Sequence, residues 1–132
     1  MSFLTSSKPL SGFVSVWLLI ARLASGAFML THGYPKLMRL IDGRAEGFPD
    51  PLGVGSLLSL ILAVGAEVIG SVLIMLGVFT RFAAFSLIFT MLVAAFVIHA
   101  NDPFARMEMS LLYLLLFATL FVFGPGKYAI DR

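Results

Sequence analysis

The sequence contains no cysteine. That absence removes disulfides, thiol relays, thiolate metal sites and covalent haem attachment from consideration. Charge is also scarce: 12% of the 132 residues are Asp, Glu, Lys or Arg, about half the share of an ordinary soluble domain. No basic run with interleaved aromatics occurs, which argues against a nucleic-acid partner. There is no dinucleotide fingerprint and no phosphate loop, so the chain carries no self-sufficient catalytic motif. No segment alternates polar and apolar residues at period two, which argues against a β-barrel. Internal repeats and low-complexity segments are absent as well.

What fills the chain instead is apolar sequence. Hydrophobic residues make up 60% of it, and the mean hydropathy is +1.03. A bilayer-crossing helix needs about 20 mostly apolar residues, and four such runs use up the length. The fold class expected is an all-α membrane protein, a four-transmembrane-helix bundle forming one domain over 1–132, with spans near 13–33, 56–78, 82–100 and 105–123. Lys8 followed by an apolar stretch resembles a signal peptide, but Arg22 interrupts that stretch and it continues through Leu30, so cleavage is not expected. Spans one and two are joined by a long loop, Tyr34 to Gly55, whose Phe48-Pro49-Asp50-Pro51 segment is incompatible with regular helix. Gly77 to Arg81 suffices only for a tight turn, so spans two and three form an antiparallel hairpin. Pro103 stops span three, and Gly124-Pro125-Gly126 ends span four.

An even span count puts both termini on one side, with Lys8, Arg81, Lys127 and Arg132; the other side carries Lys36, Arg39, Arg44 and Arg106. The positive-inside count ties. With most acidic residues in the long loop, the expectation tips to cytoplasmic termini.

Charges within the spans are the informative residues. Arg22 and Glu67 fall at similar distances from the loop-side ends of spans one and two. An unpaired charge at that depth costs about 3 kcal/mol on insertion scales, so the two are expected to form an intramembrane ion pair, suited to the forked donors of Arg. It serves either as a structural bolt fixing register or as a functional group. Arg22, Ser25, Gly26, Met29 and Gly33 share a stripe, with Lys36 close to it, as do Ser56, Ala63, Glu67, Gly70, Ser71 and Ile74; small residues at this spacing let membrane helices approach closely.

A second group gathers at the long-loop end: His32, His99, Glu108 and Lys36. Two imidazoles, a carboxylate and an amine at one membrane face suit proton handling or anion binding, since imidazole titrates near neutral pH. The bland alternatives are imidazoles resting in the headgroup zone and Glu108 favouring a helix N-terminus. The catalytic candidates are His32, His99 and Glu108, and the ligand-binding candidates are Lys36, His32, Glu67, His99 and Glu108. Nothing in the spacing fixes a coordination geometry, so no metal site is assigned.

The same residues carry a resemblance. Ala21-Arg22-Leu23, Thr31-His32-Gly33-Tyr34-Pro35-Lys36-Leu37, Glu67-Val68-Ile69-Gly70, Leu76-Gly77-Val78-Phe79-Thr80-Arg81, then His99, Glu108 and Tyr113, and the ending Phe123-Gly124-Pro125-Gly126-Lys127-Tyr128 together resemble the DoxX family of small bacterial membrane proteins, within the DoxX/DoxD group. The resemblance implies a four-helix protein of the bacterial inner (plasma) membrane, crossing it several times. DoxD-type relatives are associated with quinone-linked thiosulfate oxidation, and DoxX-type relatives with redox stress and membrane oxidoreductase complexes. By position the recurrent polar residues are Arg22, His32, Lys36, Glu67, Arg81, His99 and Glu108, none of which carries over as an established catalytic residue.

The leading functional expectation is a subunit of a quinone-linked or oxidative-stress-related redox system, with quinone as the candidate cofactor. His32 or His99 would then meet a quinone carbonyl, and Glu108 or Glu67 would handle protons within hydrogen-bond reach. One alternative is a non-catalytic anchor that recruits soluble redox partner proteins through the Tyr34–Gly55 loop. The other is a small transporter or permeation subunit using the Arg22–Glu67 pair, for which a homo-oligomer would supply the missing bulk. In every case the lipid bilayer is the surrounding partner.

Overall fold

A computed structural model describes residues 12–131. Lys8 and Arg132, which entered the signal-peptide and orientation arguments, lie outside the described residues. Four helices account for most of the rest: α1, Gly12–Ile41; α2, Ser56–Leu76; α3, Thr80–Ile98; and α4, Phe104–Phe123. Each is long and apolar enough to cross a membrane, and no strand occurs among the described residues. The chain is therefore an all-α, four-span membrane protein. Its outward faces are lined by Phe, Leu, Ile and Val, including Phe82, Phe85 and Phe89. In lipid these faces are the satisfied state, because the bilayer solvates apolar side chains and the helices satisfy their own backbone groups.

The first helix is longer than expected. It comprises 30 residues, about 45 Å at the helical rise, and its last two turns occupy what the sequence suggested was the start of a loop. Pro35 lies inside it. A proline removes one N–H and crowds the preceding turn, but membrane helices tolerate it where neighbouring groups re-satisfy the backbone. Beyond Ile41 the chain folds back tightly. The Arg39 side chain donates to the Arg44 carbonyl at 2.6 Å and the Glu46 carbonyl at 3.0 Å, tying the start of the loop to the last turn of the helix.

That added length resets the register of α1 against α2. The two pack antiparallel, and a Cβ placed on Gly33 would stand 3.1 Å from Glu67 Cβ and 2.9 Å from Val68 Cγ2. Gly33 is thus level with Glu67 rather than with the start of α2. Toward the termini, Gly26 lies against Ser71 and Met75. Small residues are what allow this closeness.

Two of the helices contain a widened turn. Gly65–Ile69 in α2 and Ala94–Ile98 in α3 are π-helical, a rare feature that concentrates at functional sites. The hydroxyl of Ser71 donates to the Glu67 carbonyl, supplying a partner at the disturbed turn. The α2–α3 connection is the expected hairpin. Gly77 and Phe79 both take positive φ, 74° and 49°; Gly77 does so without steric cost. Phe79 is held by its own N–H donating to Asp131 Oδ2 at 2.6 Å.

The core lies at the terminus end, where Leu18, Met29, Ile74, Ala83, Leu87, Met91, Phe117 and Leu120 pack together. The chain's last described residues tuck beneath it. Ile130 N–H donates to the Leu76 carbonyl and Asp131 N–H to the Gly77 carbonyl. In the long loop, Asp50 accepts from the N–H groups of Gly55 at 2.8 Å and Val54 at 2.9 Å and from the Ser59 hydroxyl at 2.9 Å. These donors, with Gly55 foremost, hold its carboxyl below the usual range. Hydrogen bonds to the charged form act in that direction.

Candidate ligand cavity

Arg22 and Glu67 do not pair. Arg22 is fully buried, and its guanidinium donates to the Ile74 and Met75 carbonyls, both at 3.2 Å, and to the Tyr128 carbonyl at 2.5 Å. These are carbonyls of the last turn of α2, of which Ile74 also accepts the Gly77 N–H, and a carbonyl of the tail. A cation is favoured there by the helix dipole. The expected pair fails because of register: with Gly33 beside Glu67, Arg22 lies about three helical turns away, roughly 16 Å along the axis. Arg81 plays the matching part for α4, donating through Nε to the Phe121 carbonyl at 2.9 Å and through Nη2 to the Val122 carbonyl at 3.3 Å. Both arginines close helix C-termini. The permeation path expected from an Arg22–Glu67 pair therefore loses its basis.

The partner of Glu67 is Lys36. Its Nζ lies 2.8 Å from Oε1 and 2.6 Å from Oε2. The carboxylate side chain is 2% exposed and the lysine 34%, so Glu67 sits behind and Lys36 in front. The helix geometry favours this, since side chains lean toward the N-terminus of their own helix. Lys36, one turn nearer the loop than Gly33, leans back onto Glu67. Glu67 itself sits in the π-helical turn, near the middle of α2. An ion pair at such depth is a costly arrangement kept by close contact. Removing Lys36 leaves the buried Glu67 carboxylate uncompensated, at a cost of up to about 3–5 kcal/mol; removing Glu67 leaves a partly exposed ammonium and costs less.

Lys36 faces a cavity of about 970 Å³ bounded by all four helices and by Phe48, Pro49, Pro51 and Leu52 of the long loop. Its walls are mostly apolar, and at the terminus end they run out between Leu73, Phe82 and Phe85. The titratable groups gather in the loop half: His32, Lys36, Glu67, His99, Arg106 and Tyr113; the hydroxyls of Ser86 and Thr90, which line the other half, donate back to the Phe82 and Ser86 carbonyls of their own helix. Both π-helical turns contribute to the lining, through Gly65, Ala66 and Glu67 on one side and Ala94 and Ile98 on the other. His32 meets Tyr113 edge-on at 5.6 Å between ring centroids, and Tyr113 stacks on buried Phe117 at 5.9 Å. His99 Nδ1 lies 2.8 Å from Asp102 Oδ2. With the proton on Nδ1, that contact leaves Nε2 as an acceptor.

Of the candidates from sequence, His32, Lys36, Glu67 and His99 line this one cavity. Glu108 does not: it is exposed on α4 and absent from the lining. It lies five residues into the helix, past the first turn where an acid meets open N–H groups. The site candidates read from the sequence did not include Arg106, Ser110 or Tyr113, all of which line the cavity. Depth, away from the interfacial belt, was the available signal for Tyr113; nothing local marked the other two.

The DoxX family model matches residues 17–100 of the chain, which takes in Arg22, His32, Lys36, Glu67 and His99. The chain belongs to the DoxX family. It is 34% identical over 135 residues to "Inner membrane protein YphA" of Escherichia coli (strain K12), covering 89% of each chain. An uncharacterized protein of Haemophilus influenzae is 32% identical over 126 residues, which is 88% of this chain and 89% of that one. No solved structure matches. The four spans and these relationships make this DoxX protein a multi-pass protein of the inner membrane.

Proposed function

We propose that this DoxX protein is the membrane subunit of a quinone-linked redox system and that the cavity beside Lys36 and Glu67 is where the quinone binds. The observation that carries this reading is the cavity's divided lining. One half offers charged and hydrogen-bonding groups, and the other is mostly apolar, its Ser86 and Thr90 hydroxyls spent on carbonyls of their own helix, which is how small-molecule sites are commonly built. The chain's own residues fit a headgroup with two carbonyl acceptors. Two N–H bonds of Lys36 are directed at Glu67; an ammonium has three donors, so the third remains for the cavity. The Tyr113 hydroxyl and the His32 ring add further donors along the same wall. A bound quinone would supply reversible two-electron, two-proton chemistry. Lys36 would hold a carbonyl and keep a proton at its ammonium, Glu67 would hold Lys36 in place, and the His99–Asp102 pair at the mouth would exchange protons with water. Glu108 has no part in this, being outside the lining.

The test is extraction of bound small molecules from protein purified in mild detergent, read by the oxidised-minus-reduced ultraviolet spectrum. Near-stoichiometric quinone is expected, lost in Lys36→Met and retained in Glu108→Gln. A folded wild-type protein that carries no quinone and takes up none from quinone-loaded micelles contradicts the proposal.

A further inference from the structure

Resting on the reading of the cavity as a ligand site, the geometry points to Glu67 as the residue that sets ligand charge: by neutralising Lys36 it makes the cavity select amphiphiles with an uncharged, acceptor-bearing headgroup over anionic ones such as long-chain carboxylates.

A lone lysine at the end of an apolar slot would be a fatty-acid site, with ammonium meeting carboxylate. Lys36 is not alone. Glu67 takes two of its donors at 2.8 and 2.6 Å and is itself 2% exposed, so the ammonium arrives at the cavity already paired. In a medium of low dielectric, the occupant that leaves the cluster neutral is favoured, because an extra buried charge lacks compensation. A carboxylate headgroup would make a cluster of two anions and one cation. A carbonyl headgroup accepts the third N–H and leaves the sum at zero.

The other charged and titratable groups near the cavity do not alter this. Asp102 faces His99 at 2.8 Å, and Asp102 and Arg106 are exposed at the loop-side mouth, where water and salt screen them. His32 engages the Tyr113 ring edge-on. Among the described residues no other carboxylate lines the cavity, so Glu67 is the acidic group that decides the balance at Lys36's depth.

The experiment measures binding of two amphiphiles of equal tail length, a long-chain benzoquinone and a long-chain fatty acid, to the full chain in nanodiscs of uncharged lipid. Wild type is expected to favour the neutral one. In Glu67→Gln the ammonium is unpaired, and the affinity ratio should move toward the fatty acid by about tenfold or more, the scale of one relieved charge contact. Lys36→Gln, with Glu67 intact, should move the ratio the other way; this variant also serves where Glu67→Gln does not fold. A wild type that binds the fatty acid more tightly, or a ratio unmoved in the variants, overturns the charge-selection inference while leaving the cavity as a ligand site. Binding of neither amphiphile to folded wild type overturns the cavity reading and this inference with it.

Discussion

Two arginines and a lysine carried by apolar helices take different roles, and their partners explain why. Arg22 and Arg81 each meet backbone carbonyls at a helix C-terminus. The planar fork of arginine reaches several acceptors at once and stays charged. Lys36, a compact ammonium on a flexible stem, meets a carboxylate instead and keeps a donor in reserve. Within the described residues the Arg22 Nε is buried without a partner, so this guanidinium is held by its two outer nitrogens. Replacing Arg22 by Met should destabilise the protein by about 3 kcal/mol, since it removes the charged donor of the part-buried Met75 and Tyr128 carbonyls, a bond to a charged group being worth about 1.5–3 kcal/mol, while the Ile74 carbonyl keeps the Gly77 N–H. Arg22→Lys should recover only part of that. Denaturant titration in mixed micelles reads the difference, and an unchanged midpoint in Arg22→Met would contradict the capping role.

At the scale of elements, α1 and α2 carry the site between them. Their register follows from Gly33 meeting Glu67, and Lys36 reaches the carboxylate only because that crossing is close. Gly33→Leu would place a side chain where Val68 and Glu67 already stand. The expected outcome is separation of the two helices at that level and loss of cavity binding. A cysteine pair at positions 26 and 71, at the neighbouring close approach, would cross-link less readily when combined with Gly33→Leu; unaltered cross-linking and ligand binding would show that the close approach is dispensable. The four helices were legible in the sequence because apolar run length is a strong signal, and the hairpin because Gly77 to Arg81 leaves room for nothing else. The length of α1 was not. Proline at position 35 and the charges after it read as a loop, yet the helix continues to Ile41. That extension accounts for about two of the three turns by which the register differs, enough to break the inferred Arg22–Glu67 pairing. The buried stripe of α1, with Arg22, Ser25, Gly26, Met29 and Gly33 inward, was readable because periodicity survives an error in where a helix ends. The π-helical turns had no local signature in the sequence.

For the whole molecule, the polar and apolar halves divide the work. The terminus end is a packed core, locked by Arg22, Arg81 and the tail, with Asp131 fastened to the α2–α3 turn. The loop end encloses the cavity, with the π-helical turns and most of the titratable lining groups. One end thus holds the bundle together while the other has space for a guest, and side chains of the cavity wall such as Phe82, Phe85 and Phe89 are also exposed on the outer surface. That exposure suits the proposed quinone site, because a ligand resident in the bilayer would then meet the slot without leaving lipid. The conjunction of His32, Lys36, Glu67 and His99 at one site was partly legible, since topology alone gathers His32, Lys36 and His99 at the loop end. The exclusion of Glu108 was not, because it depends on which face of α4 turns inward. The most direct measurement is photolabelling of the membrane-embedded protein with a long-chain quinone bearing a photoreactive ring substituent, with adducts mapped by mass spectrometry. Labelling is expected on Met29, His32 and Tyr113, diminished by excess unlabelled quinone and by Lys36→Met. Labelling confined to outward-facing residues such as Trp17 and Leu115, and indifferent to competitor, would contradict a quinone site in this cavity.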